Sequence, residues 1–108
     1  MSDIRLAYIT CESRDQALAL GNALVEARLA ACANVIGPMT SIYRCEGAVE
    51  ASDEVVLIAK TTAENMTALT QKVKADHSYS VPCVLSIPVE ATEGNPDYLA
   101  WLRTEAAS

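Results

Sequence analysis

"ACANVIGPMTSIYRCEG", residues 31–47, and "EVVLIAKT", residues 54–61, decide the fold of this chain. The first run is rich in β-branched residues and is interrupted at Gly37-Pro38. Proline has no N–H to give a strand ladder, so the interruption predicts a bulge or bend rather than an unbroken central strand. Gly47 marks a turn, and the second run reads as a buried strand bounded by that turn. The extended stretch from Ala33 to Thr61 therefore predicts two long strands joined as a hairpin, long enough to reach a neighbouring molecule.

Working outward, "IRLAYITC", residues 4–11, predicts a first strand in which Ile4, Leu6 and Tyr8 alternate with Arg5, Ala7 and Ile9. Ser13 and Gln16 have the spacing of a capping box, and Ala17, Leu20, Gly21 and Leu24 then share one helical face. Thr61 with Glu64 repeats the capping spacing and predicts a second helix with Met66, Leu69, Thr70 and Val73 on its inner face. "CVLSIPVE", residues 83–90, predicts a fourth strand whose Pro88 calls for an edge or a bulge. Asn95 followed by Pro96 predicts an N-cap and first helical residue, so "PDYLAWLRTE" reads as a terminal helix. The order β-α-β-β-α-β with an added helix is the ferredoxin-like α+β pattern, two split βαβ units forming an antiparallel sheet. Residues 1–108 read as a single domain without linker or repeat.

Composition narrows the function classes. Fourteen acidic against eight basic residues give a net charge of −6. That balance disfavours nucleic acid and anionic membranes as partners, and is compatible with attraction of cations. No apolar run approaches the roughly 20 residues that span a bilayer, and "MSDIRL" lacks the basic start and apolar stretch of a secretory signal. The cysteines at 11, 32, 45 and 83 form no CxxC pair, so reduced thiols in a cytoplasmic protein are expected. With no phenylalanine and one tryptophan, the core has to be built from Ala, Val, Ile and Leu. Such a small aliphatic core invites oligomerisation.

Catalytic signatures are sparse: there is no glycine-rich phosphate loop, HExxH or Gly-x-Ser-x-Gly elbow. Asp53 and Glu54 are adjacent, so on a strand they point to opposite faces and read as solvated charges near a turn. The only histidine, His77, lies in "DHSYSVPC", residues 76–83, six positions before Cys83. A nucleophilic pair of His77 with Cys11 or Cys83 is conceivable, but no orienting group or oxyanion hole accompanies it. H-x5-C is no recognised zinc-finger spacing, and a helix-ending role for His77 competes with a metal-binding one. The chain reads as a non-enzyme.

Five segments taken together carry a resemblance: "RLAACANV", "TSIYRCEG", "VVLIAKTT", "HSYSVPC" and "DYLAWL". In their order and spacing the chain resembles the CutA divalent-ion tolerance family over nearly its whole length. The resemblance implies a ferredoxin-like fold, a cytoplasmic homotrimer joined through long hairpins, and an association with copper and other divalent cations. No organic cofactor is implied. It further implies that Cys11 stands where some members carry a cysteine linked to copper, and that His77 matches the histidine after the second helix. Asp76 stands where some members have a second histidine. Tyr79 and Pro82 match the usual pattern, whereas Ser78 replaces a proline, Cys83 a glutamate and Cys45 an aromatic before Glu46-Gly47. The expected metal set is thus Cys11, His77, Cys83 and Asp76, with copper as Cu(I) or Cu(II). Soft thiolates and imidazole suit copper better than magnesium or calcium. The family's shape is also similar to that of the trimeric PII signalling proteins. The alternative reading is accordingly a small-molecule module with Lys60, Tyr79 and Glu46 as polar contacts, or a trimeric protein scaffold.

Overall fold

The computed structural model describes residues 3–107. In chain order the elements are β1 (Ile4–Cys11), α1 (Arg14–Glu26), β2 (Cys32–Cys45), β3 (Ala48–Thr62), α2 (Met66–Asp76), β4 (Val84–Pro88) and α3 (Pro96–Glu105). The strands form one antiparallel sheet in the order β2-β3-β1-β4. Crossovers of one hand bring α1 and α2 onto the same face, which leaves a two-layer α+β fold of the expected ferredoxin-like order.

The helix-facing side is the main core. Ala7, Ile9 and Cys11 of β1 and Leu57 and Ala59 of β3 meet Leu20 and Leu24 of α1 and Leu69 and Val73 of α2. Gly21 allows the closest approach: a Cβ there would lie 3.3 Å from both Ala33 Cβ and Leu57 Cδ1. Ser13 caps α1 by accepting from the Gln16 N–H at 3.1 Å. Gln16 Oε1 accepts from the Glu12 N–H, one residue before the partner a reciprocal box would use. The other end of α1 closes with Leu29 N–H on the Leu24 carbonyl and Arg28 N–H on that of Val25, with Arg28 at φ 59°. This is a Schellman closure with arginine in the position glycine usually takes.

Three expectations need correction. Thr61 does not cap α2: it lies inside β3, buried, and its hydroxyl donates to the Leu29 carbonyl at 2.6 Å. The chain instead enters α2 through a 3-10 turn at Ala63–Asn65, so the helix proper begins at Met66. Secondly, the fourth strand is Val84–Pro88, shorter than the 83–90 run, because Cys83 still belongs to the loop that follows α2. Pro88 closes that strand on the sheet edge, where its missing N–H costs no ladder bond. Thirdly, Glu54 is not a solvated charge; it is only 8 % exposed.

The hairpin runs in register from Cys32 opposite Lys60 to Cys45 opposite Ala48, with a shift between Ile36 and Met39 at Gly37-Pro38. Its two-residue turn puts Glu46 at φ 50° and Gly47 at φ 82°, the mirror-image geometry that matches strand twist. Because the hairpin outruns the helices, the molecule is elongated, 45 × 26 × 23 Å.

On the sheet face away from α1 and α2, α3 covers one end only. Leu99, Leu102 and Ala106 pack on Ile4 there. Leu6, Tyr8 and Thr10 continue that face along β1, opposite Lys60, Ile58 and Val56 of β3. The helix-free end of this face is where the candidate site lies.

Candidate functional site

The loop 77–83 turns over the end of β1 and fixes the site. His77 is the residue at which α2 stops: its N–H reaches the Val73 carbonyl at 2.8 Å while its backbone turns extended, φ −79° and ψ 147°. The imidazole folds inward, and the residue as a whole is 9 % exposed. Its Nε2 lies 2.8 Å from the Thr10 carbonyl oxygen, and Nδ1 accepts from the Tyr79 N–H at 3.0 Å. A carbonyl can only accept, so the ring is held as the Nε2–H tautomer with both nitrogens engaged. His77 and Tyr79 rings also pack at 4.8 Å between centroids.

Tyr79 carries the arrangement one step further. Its hydroxyl donates to Glu54 Oε2 at 2.9 Å, which ties the loop to β3. Burial, reinforced by the Glu54 hydrogen bond and charge, pushes the Tyr79 phenol up to about 12, so it stays a donor. Beside it opens a hollow of about 420 Å³. Glu54 and Cys83 line it together with Thr10, Ser41 and Ser52. Tyr43, Tyr79 and Val81 form its less polar walls, and no lysine, arginine or histidine lines it.

The expected metal residues are distributed differently. Cys11 is fully buried on the helix-facing side of β1, within the core. Burial first and the Glu54 charge second push its thiol up to about 11, which keeps it protonated at neutral pH. Asp76 faces solvent and pairs with Lys72 at 3.0 Å, one helical turn back. Cys83 alone of the four opens into the hollow. Among the described residues no three His, Cys, Asp or Glu side chains gather as a metal-holding group. A single chain therefore offers a transition metal only Glu54 and Cys83 here, short of the four ligands of a closed site.

Lys60, Tyr79 and Glu46 also stand apart within one chain. Glu46 occupies the hairpin turn. Lys60 lies six residues beyond Glu54 along β3, about 20 Å at strand rise. Its ammonium donates to the Tyr98 hydroxyl at 3.0 Å, a bond that raises its pKa above the usual lysine value. Tyr98 in turn packs against Trp101 of α3 at 5.5 Å.

Glu54 is the residue that sequence reasoning missed. One signal was available: at period two, Glu54 shares a face with Val56 and Ile58, so a charge stands directly beside an apolar pair on one strand face. The burying element is a loop more than 20 residues away, which no local pattern announces.

An α+β domain of ferredoxin-like topology, with a hollow holding one carboxylate on its open sheet face, is the class defined by these observations. The model of the CutA1 divalent ion tolerance protein matches residues 5–105, and the chain belongs to that family. It is 45 % identical over 98 residues to the divalent-cation tolerance protein CutA of Thermus thermophilus, covering 91 % of this chain and 93 % of that one. A CutA homolog of Xenopus laevis is 45 % identical over 96 residues, 89 % of this chain but only 62 % of the longer frog protein. The solved structure of the divalent cation tolerance protein from Thermus thermophilus superposes with a TM-score of 0.92 at 41 % identity, over 96 % of this chain and 99 % of that one.

Proposed function

We propose that the chain works by binding rather than catalysis, as a cytoplasmic homotrimer in divalent-cation tolerance whose hollow captures cations, copper foremost. The observation that carries this reading is Glu54: an acidic residue only 8 % exposed, on the wall of an open hollow, with no basic residue lining it among the described residues. A buried charge left without a counter-charge is costly, and a bound cation removes that cost. Cys83 supplies a soft donor beside it. One chain contributes two donors, and a symmetric assembly can bring further ones from neighbouring copies.

Titration calorimetry with Cu(I) under anaerobic reducing conditions, beside Zn(II) and a nucleotide and metabolite panel, tests this. Saturable copper binding, weakened at least tenfold by Cys83→Ser, is the expected result. Copper binding that is unaffected by both Cys83→Ser and Glu54→Gln would move the site elsewhere. A second reading, an effector module of the PII kind, is favoured by Lys60, whose ammonium sits against Tyr98 with no carboxylate partner among the described ion pairs. Nucleotide binding without copper binding would select it.

A further inference from the structure

The lining around Glu54 also suits a cation other than a metal ion. One carboxylate shares the lining with residues that carry neutral hydroxyl groups: Ser41, Ser52, Thr10 and Tyr43. Tyr79 gives Glu54 Oε2 one hydrogen bond, and none of the ion pairs among the described residues includes Glu54. One buried negative charge is balanced by one positive charge; a divalent ion would leave an excess unless the neighbouring thiol ionised. Neutral hydroxyls bind transition metals poorly but accept N–H hydrogen bonds well. The walls supply tyrosine rings, whose faces attract cations, and the apolar Val81. In the single chain the hollow measures about 420 Å³, within the range of roughly 300–1,000 Å³ typical of small-molecule sites.

We propose that this hollow also receives a small primary ammonium ion, its N–H groups shared between the Glu54 carboxylate and the hydroxyls of Ser41 and Ser52, its carbon chain lying against Tyr43 and Val81. The inference rests on the reading of the hollow as a cation site and names a second class of cation for it. A primary alkylammonium suits a lining that is mostly apolar but holds one carboxylate and a few hydroxyl-bearing residues: the head group meets the charge and can donate, and the chain meets the apolar surface. A quaternary ammonium keeps the charge but loses the donors; a neutral alcohol keeps the shape but loses the charge.

The test is an NMR titration of the intact protein with butylammonium, tetramethylammonium and butanol, beside the copper titration. Butylammonium should bind wild type, shifting the ring signals of Tyr43 and Tyr79, and should bind more tightly than either control. Glu54→Gln removes the charge yet can still accept from Tyr79, and should weaken butylammonium at least tenfold. Cys83→Ser should leave butylammonium binding within twofold while it weakens copper. Ser41→Ala with Ser52→Ala, which leaves Glu54 in place, should weaken butylammonium severalfold and serves as a check independent of the Glu54 substitution. Equal binding to wild type and Glu54→Gln overturns the ammonium site. So does copper binding without butylammonium binding, the result expected if a basic side chain of a second copy already neutralises Glu54; the cation reading then stands. Failure of both cations overturns both.

Discussion

At the residue scale, His77 acts as a clasp. A lone histidine before a cysteine invites a reading as ligand, and the helix-ending alternative is equally visible in "DHSYSVPC". What the letters cannot convey is that the Thr10 carbonyl and the Tyr79 N–H meet the ring from both sides. Replacing His77 by Ala leaves those two backbone groups without their partner in a mostly buried place. Stability should fall by about 1–3 kcal/mol, read as a lower midpoint in urea unfolding. A midpoint unchanged from wild type would mean that the clasp contributes nothing. Alkaline pH gives a second prediction. The folded Cys11 thiol titrates at about 11 against an ordinary value of 9.0, and Tyr79 at about 12 against 10.0. Both pKa values are raised in the folded state, so the native protein holds these protons longer than the unfolded chain does. The associated stability is fully present below pH 9.0 and is lost as pH rises through about 12. Melting temperature should therefore decline across that window, and Cys11→Ala should flatten its lower half; a parallel decline in the variant would remove Cys11 as a cause.

At the element scale, most of the fold was legible because each element carries its own periodicity and end signals. β1 and α3 fall on the expected residues, and the inner face of α1 holds the expected Ala17, Leu20, Gly21 and Leu24. Legibility failed where tertiary partners decide. Thr61 has capping spacing, yet the Leu29 carbonyl claims its hydroxyl inside β3. Arg28 adopts a left-handed backbone that its type disfavours, and the compensation lies at the far end of the chain: its guanidinium donates to the carbonyls of Thr104 and Ala107 at the end of α3 and just beyond it. The bulge in β2 was visible as Gly37-Pro38, and the structure adds the reason for glycine. A Cβ on residue 37 would stand 3.0 Å from Val55 Cγ2 and 3.3 Å from Val55 Cα. Gly37→Ala should then destabilise by about 1–3 kcal/mol, since Val55 backbone cannot swing aside as a side-chain tip can. Val55→Ala in the same chain should recover part of that loss in thermal melts; an additive double variant would show that the Gly37 contact is not the cause.

At the scale of the whole molecule, the single chain leaves too much unpaired. β2 and β4 are open sheet edges, and the far half of the hairpin stands beyond both helices with Ile42 75 % and Val49 66 % exposed. On the sheet's open face and its rim, Leu85 and Ile87 of β4 are also exposed. Long apolar edges of this kind are aggregation templates unless something covers them. Copies of the same chain, related by closed symmetry, are the economical covering. Light scattering of wild type at micromolar concentration should therefore give three times the chain mass of 11.5 kDa. The double variant Ile42→Lys, Val49→Lys places two charges on this exposed apolar surface and, if copies cover it as proposed, should shift the mass toward a single chain. Both sites are exposed in the isolated chain, so the substitutions should cost the monomer fold itself less than about 0.5 kcal/mol. Melting temperature should rise with protein concentration for wild type and be flat for the variant, because assembly stabilises by mass action. A wild-type mass near 11.5 kDa with a concentration-independent melt would sink the trimer, and with it any site that draws donors from more than one copy.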